Sequence, residues 1–321
     1  MTLTVEGPLT VTTHPTPVTT CSGEAVTFSA AVSNAGAGTM SYVWQENDGS
    51  GWSNLSDAGV YSGTTTTTLS ISDVSGLYGR CYRMRTTTSE CTEVFTNEAC
   101  LTVEGPISFT DHPDDITQCS GESVIFVGSA GVAAGTSGTI SYQWQISSDG
   151  LNWSNIPNGA PYSGVTNDTL TITNVAGLNG QRYRLTARTA ECNPVESDPA
   201  RLTVEGPLTV TSNPSDWSTC SDKEAFFAAK VSNPGEGYVE YQWLVSTDGG
   251  STWGLINNDS IYNGSKTDTL SISPVAGKGG YMYKLQAWTG TCDTVETAAA
   301  TLSVEGPLEF TDEPDDITVC A

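Results

Sequence analysis

The side chains most able to do chemistry in this sequence are its 9 cysteines, its 2 histidines and its 36 carboxylates. No cysteine stands in a Cys-x-x-Cys pair, and the histidines are His14 and His112 alone, so the ligand sets of a zinc site are missing. No Ser/His/Asp set, paired catalytic carboxylates or Gly-rich phosphate loop can be assembled, and an enzymatic role has no residue constellation behind it. Cysteines in an acidic, Thr-rich chain read instead as disulfides formed in an oxidising compartment. The carboxylates cluster at Asp111/Asp114/Asp115 and at Asp312/Glu313/Asp315/Asp316. Calcium favours such oxygen clusters. Corresponding positions elsewhere hold Thr16 and Asn213, so a solvated acidic face is expected and no cofactor is assigned.

Lys and Arg number 12 against those 36 acids, for a net charge of −24. That field repels nucleic acid and anionic lipid. No apolar run approaches the roughly 18 residues that span a bilayer, and no secretory signal is present.

The elements that must position the cysteines come from an internal repeat. Leu3-Thr-Val-Glu-Gly-Pro8 recurs from Leu101, from Leu202 and, as Leu-Ser-Val-Glu-Gly-Pro, from Leu302, a period of about 100 residues. Within each period the landmarks return in order. Cys-Ser opens at Cys21, Cys119 and Cys220. Tyr-x-Trp follows at Trp44, Trp144 and Trp243, then a second Trp at Trp52, Trp153 and Trp253. Tyr-x-Gly begins at Tyr61, Tyr162 and Tyr262, Gly-x-x-Tyr ends at Tyr82, Tyr183 and Tyr283, and a last Cys falls at Cys91, Cys192 and Cys292. The boundaries are therefore 7–104, 105–205 and 206–305. Residues 1–6 are expected to finish a preceding repeat and 306–321 to begin a fourth, as in a segment of a longer protein.

Apolar and polar residues alternate in runs such as Val26-Thr-Phe28 and Leu170-Thr-Ile172, the period of strands with one buried face. With turn residues between them, the pattern predicts an all-β protein of tandem antiparallel sandwiches. It resembles I-set-type immunoglobulin domains: Leu9-Thr-Val11, Pro15 and Ser22-Gly-Glu24 match the kinked first strand and its turn. The resemblance makes Trp44, Trp144 and Trp243 the core tryptophans of the third strand, and Tyr82, Tyr183 and Tyr283 the tyrosine corners. One departure stands out. Ala30, Gly128 and Ala229 face Met84, Leu185 and Leu285 where the core disulfide of that fold would lie, so packing is expected to replace the bond.

Under this resemblance Cys81 and Cys100 lie opposite each other on adjacent strands and are expected to bond. Cys21 and Cys91 fall at opposite ends of one sandwich, roughly 30 Å apart by strand length, which is too far for a disulfide. Two inter-domain pairings remain. In a linear array the bottom of one domain meets the next domain's hairpin tip, giving Cys21–Cys192 and Cys119–Cys292. If each Glu-Gly-Pro were instead a hairpin turn, Cys91–Cys119, Cys192–Cys220 and Cys292–Cys320 would face one another.

Ser246-Thr-Asp248-Gly-Gly250-Ser-Thr252-Trp253 matches the Asp-box pattern of sialidases, but a tight turn is the better expectation. Cys-Ser-Gly-Glu, Tyr-Gln-Trp-Gln (Tyr142 to Gln145) and Tyr-Ser-Gly are similar to immunoglobulin-like repeats of giant Bacteroidota surface proteins. Those are exported by the type IX pathway and include gliding-motility adhesins. The resemblance implies a non-catalytic stalk at the cell surface, built as an extended rod. Its neighbours along the chain are its partners, and a surface polysaccharide or protein is a further possible ligand. It also implies O-glycosylation at Asp-Ser/Thr-aliphatic sites, here Thr169, Ser260, Thr269 and Thr294. A glycan- or protein-binding module, or a subunit of a surface filament or layer, are the alternatives.

Overall fold

A computed structural model describes residues 7–89 and 93–306. Cys91, Cys320, the acids from Asp312 to Asp316 and both terminal pieces of neighbouring repeats lie outside the described residues, Gly306 excepted. The chain divides into two compact units. One comprises Met1–Asp114, Ile125–Thr171 and Arg182–Ala200; the other comprises Asp115–Val124, Ile172–Gln181 and Arg201–Ala321. The first repeat lies wholly in one unit, the third in the other, and the strands of the middle repeat are divided between them. Among the described residues no helix is long and apolar enough to cross a membrane.

In the first unit, repeat 1 runs through β1 (Leu9–Thr13), β2 (Val18–Cys21), β3 (Val26–Ser29), β4 (Ala31–Asn34), β5 (Ser41–Asn47), β6 (Trp52–Asn54), β7 (Tyr61–Ser62), β8 (Thr68–Ile71), β9 (Cys81–Thr87), β10 (Val94–Phe95) and β11 (Ala99–Glu104). One sheet has the order β2-β11-β9-β5-β6, the opposing one β3-β8-β7, and β1 pairs with β4. The switch between sheets falls at buried Pro15, which has no N–H to leave unpaired. Alternation does the rest: every second residue of β9 is buried, so one face of the strand enters the core.

The pairing that matters most for function is the parallel one between β11 and β2. Its register sets Leu101 beside Val18 and Glu104 beside Cys21. In the second unit, Trp217 to Cys220 pair with Leu302 to Glu305, and Ile116 to Cys119 pair with Leu202 to Glu205, in the same parallel manner. Repeat 3 repeats the layering of repeat 1, with Ala225–Ala228, Thr269–Ile272 and Tyr262–Asn263 as its second sheet.

Each core is built on its tryptophan. Trp44, Trp144 and Trp243 are fully buried. Their indole N–H groups donate to the carbonyls of Thr66, Asn167 and Thr267 at 3.0, 3.0 and 2.9 Å, so none of the three indole donors is left unpaired. In place of a core disulfide, a Cβ added at Gly128 would sit 3.4 Å from Leu185 Cδ2. Ala30 and Met84 occupy the same core cluster in repeat 1, as do Ala229 and Leu285 in repeat 3. The corner tyrosines are buried as expected; the Tyr183 hydroxyl has no hydrogen-bond partner among the described residues, but in repeats 1 and 3 the hydroxyls meet other tyrosines. Tyr82 lies 3.3 Å from the Tyr61 hydroxyl and Tyr283 3.5 Å from that of Tyr262. Repeat 1 adds the Glu46 carboxylate, which takes hydrogen bonds from Tyr61, Tyr82 and Arg80.

With no cross-link between the sheets, the aliphatic side chain at the disulfide position carries that part of the core. Leu285→Ala is expected to cost about 2–5 kcal/mol, read as a lower midpoint in chemical denaturation with an unchanged slope.

Candidate functional site: the Glu-Gly-Pro junctions

The residues brought together by this fold lie where one repeat passes into the next. In the first unit, the parallel register delivers Cys21 and Glu104 side by side at the end of repeat 1. Cys21 is bonded to Cys192 of repeat 2, with Cα atoms 5.0 Å apart. The Glu104 carboxylate, 8% exposed, accepts the backbone N–H of Glu191 at 2.9 Å. The loop that carries Cys192 closes on itself, its N–H donating to Thr189 Oγ1 at 3.3 Å. Gly105 follows with φ +61°, and a Cβ there would stand 2.7 Å from Cys192 Sγ. Only glycine both adopts that backbone and leaves room for the sulfur. Around the bond, Cys21 and Cys192 pack with Ile107 and Ala187.

The second unit repeats the arrangement. Cys119 is bonded to Cys292, with Cα atoms 4.9 Å apart. Glu205, 9% exposed, accepts both the N–H and the O–H of Thr291, at 3.0 and 2.8 Å. Cys292 N–H donates to Thr289 Oγ1 at 3.2 Å, and a Cβ on Gly206 would lie 2.5 Å from Cys292 Sγ. Burial pushes the Glu205 carboxyl up, but hydrogen bonds from Thr291 and Thr289 outweigh it and hold it below its ordinary 4.5.

Of the two pairings open at the level of sequence, the structure forms Cys21–Cys192 and Cys119–Cys292. This corrects the rival set Cys91–Cys119, Cys192–Cys220 and Cys292–Cys320, whose shared members are already engaged. The physical reason is that Glu-Gly-Pro is no hairpin turn. The strand before it pairs in parallel with its own repeat, and the chain after it passes on to pair within the next, as Ile107 with Val132. Cys81 and Cys100 face each other across β9 and β11 and are bonded, with Cα atoms 3.9 Å apart.

The other candidates are not gathered into any site. His14 and His112 use Nδ1 to accept the backbone N–H of Asn97 and Asp198, each at 2.8 Å, and Asn213 does the same for Ala298. They are strand clips rather than bases. Asp115 likewise accepts the Arg201 N–H at 2.6 Å. Asp248 accepts from Ser246, Ser251 and Thr252 inside its own turn, and those bonds, led by Thr252, lower its carboxyl to about 2. The Asp-box is thus a self-closed loop, with Trp253 held under Lys284 at 4.5 Å. Among the glycosylation candidates, Ser260 and Thr294 are exposed. Thr169 and Thr269 are half-buried and donate to Asp168 and Asp268. Sequence reasoning assigned the junction Gly and Pro but missed the part played by Glu104 and Glu205; the signal was their fixed place before Gly-Pro in every repeat.

Residues 112–206 match the model of a family described as a domain of unknown function (DUF8696). No curated protein matches. Among solved structures, the chain is similar to the I-band fragment I67–I69 from titin, with TM-score 0.67 at 15% identity over 93% of this chain and 99% of that one. An E-to-A variant of the same three titin domains matches with TM-score 0.67 at 16% identity, over the same shares of both chains. These likenesses show the fold: tandem immunoglobulin-like sandwiches.

Two outcomes follow for the junction. A carboxyl lowered by folding adds stability that is present above about pH 4.5 and is lost as the pH falls through its folded value. Hydrogen exchange at the Thr291 amide should therefore quicken as the pH drops below that range, beyond the intrinsic rate. In Glu205→Gln it should be fast already at neutral pH. Gly105→Ala should cost more than about 1 kcal/mol in denaturant and leave Cys21 and Cys192 open to thiol reagents.

Proposed function

We propose that this chain is a non-catalytic stalk segment of a large cell-surface adhesin, transmitting force and displaying a distal binding region. The observation that carries this reading is that its junction disulfides interleave. Cys21–Cys192 and Cys119–Cys292 close loops of 171 and 173 residues that overlap along the chain. Load entering at Cys21 and leaving at Cys292 has two covalent routes. One runs along 22–118 and crosses at Cys119; the other crosses at Cys192 and runs along 193–291. Residues 120–191 bridge the two arms and are loaded only by their imbalance. An enzyme or a single binding module has no use for such a bridge, whereas a tether under tension does.

Disulfides on this scale need an oxidising compartment, which supports an extracellular location. The similarity of its repeat motifs to giant Bacteroidota surface proteins supports the finer reading of type IX export, gliding motility and glycosylation. A glycan-binding role has one observation in its favour, a cavity of about 510 Å³ on the middle repeat lined by Tyr142, Gln145, Asn155 and Arg188 among others. Its glutamine amides are already engaged, Gln145 donating to Asn155 at 2.9 Å and Gln143 to the Trp144 and Ile156 carbonyls at 2.8 and 3.2 Å, so the stalk reading is preferred.

Single-molecule pulling between the chain ends tests it. With the bonds intact, only one arm's length can be paid out between Cys21 and Cys292. Reduction, which also opens the Cys81–Cys100 bond in the first arm, should release roughly 190 residues, roughly 670 Å of contour at about 3.5 Å per residue. Equal contour lengths with and without reductant would remove the mechanical argument.

A further inference from the structure

The cleft on the middle repeat does not displace the stalk reading, but it has a chemistry that a stalk does not use. It lies on the outward face of the paired strands Ser141–Ser147 and Arg182–Arg188, with a volume of about 510 Å³. Small-molecule sites run from about 300 to 1,000 Å³. One short side chain opens it. Thr186 stands opposite Gln143 in the register, where repeat 1 has Arg85 opposite Val43 and repeat 3 has Gln286 opposite Gln242. Arg85 and Gln286 reach across to Glu93 and Glu296, at 3.4 and 2.6 Å. Thr186 cannot span that distance. Its hydroxyl donates to the Gln143 carbonyl at 3.0 Å instead, and the space above it stays open.

The same strand carries the charge. Its outward residues are Arg182, Arg184, Thr186 and Arg188, three arginines in a chain with 12 cations in all. Repeat 1 has Cys81, Arg83, Arg85 and Thr87 at these positions, and repeat 3 has Met282, Lys284, Gln286 and Trp288. Arg184 is already committed: Nη1 donates to Glu196 at 2.5 Å, Nε donates to Gln145 at 2.8 Å, and the guanidinium lies 4.4 Å from the Trp153 ring centre. Arg188 lines the cleft, is exposed, and has no partner for its guanidinium among the described residues. Since Arg184 and Glu196 cancel, the cleft holds one uncompensated positive charge. The net charge of −24 is screened beyond about 8–10 Å at ordinary salt, and within that range Arg188 sets the field.

Around Arg188 the hydrogen-bonding capacity is only partly spent. Gln143 uses its amide N–H groups on two carbonyls, which leaves Oε1 as an acceptor. Asn155 Oδ1 accepts from Gln145, which leaves Nδ2 as a donor. Apart from Tyr142 and Pro194 the lining is polar, so a peptide side chain finds no apolar pocket there. A planar cationic fork beside fixed donors and acceptors suits a sugar ring that bears a carboxylate. We propose that this cleft binds a hexuronate unit of an acidic polysaccharide, with Arg188 holding the carboxylate and Asn155 and Gln143 meeting ring hydroxyls. The site gives the stalk a lateral hold on an acidic polymer. Arg188, Asn155 and Gln143 all fall within 120–191, the stretch that the interleaved disulfides relieve of load, so tension along the chain leaves them in place.

Isothermal titration calorimetry of the full chain at ordinary salt tests this, with trigalacturonate as the probe. The neutral trisaccharide galactotriose and the acidic peptide tri-glutamate serve as comparisons. Trigalacturonate is expected to bind, and each comparison to bind at least about tenfold more weakly. Arg188→Gln changes an exposed side chain without touching the core and should weaken trigalacturonate binding about tenfold or more. Thr186→Arg places the residue type of repeat 1 in the cleft and should abolish binding while the melting temperature holds. No binding of trigalacturonate at millimolar concentration would overturn the proposal. So would equal affinity for galactotriose or tri-glutamate, or full affinity in Arg188→Gln or in folded Thr186→Arg. Should Thr186→Arg fail to fold, Arg188→Gln alone decides. Pulling on Arg188→Gln should give the contour lengths of the parent chain, so the stalk reading stands or falls separately.

Discussion

Everything at the junctions depends on the parallel pairing of each repeat's last strand with its second. A parallel register fixes which end of one strand lies beside which end of the other. Here it puts the Cys that opens a repeat next to the Glu that closes it, as Cys21 with Glu104. A sulfur and a carboxylate are thereby presented together, one residue before a glycine whose missing Cβ leaves room for a partner sulfur. The docking loop answers in kind, with a cysteine and the N–H of the residue before it. An antiparallel last pairing would have carried Glu104 away from Cys21 and separated the two halves of the clasp.

Moving the disulfides out of the cores changes what they hold more than how strongly they hold it. In the chain-entropy account, a bond between the Ala30 and Met84 positions would contribute about 4 kcal/mol, and one closing 171 residues about 5. The difference is small. What the junction bond adds is a tie between successive repeats, while the interior is left to packing. Gly128 against Leu185 shows that packing is sufficient there: the pair fills the gap without a polar atom. Repeat 1 departs from its copies by keeping a local bond, Cys81–Cys100, and an ion pair between buried Glu46 and half-buried Arg80.

Much of this was legible in the residue order because the repeat presents each landmark three times. Period-two alternation marked the strands, and the resemblance to immunoglobulin domains then placed Trp44, Trp144 and Trp243, the small-for-cysteine exchange and the Cys81–Cys100 bond. The junction was only half legible. Spacing alone allowed Cys192 to face either Cys21 or Cys220, because a short Glu-Gly-Pro stretch can be a straight passage or a turn. The register that decides between them is a non-local pairing and leaves no local signature. The clip formed by His14, His112 and Asn213 was hidden for another reason. An imidazole Nδ1 does the job in two repeats and an amide Oδ1 in the third, so no single residue type marks the site.

The charge balance explains the choice of partner for the junction carboxylates. With 12 cations against 36 acids, an ion pair for every acid is out of reach. The cations near the sheets are committed over Trp52, Trp153 and Trp253, and two of them also pair with Glu196 and Glu296. Glu104 and Glu205 are instead held by backbone N–H groups, which are fixed dipoles that need no counter-charge. Exposed ion pairs and the repulsion among surface acids are both screened over about 8–10 Å at ordinary salt. A buried carboxylate on a backbone donor is screened far less. The clasp therefore keeps its strength whether the solvent is dilute or salty, while the net repulsion it must withstand declines with added salt.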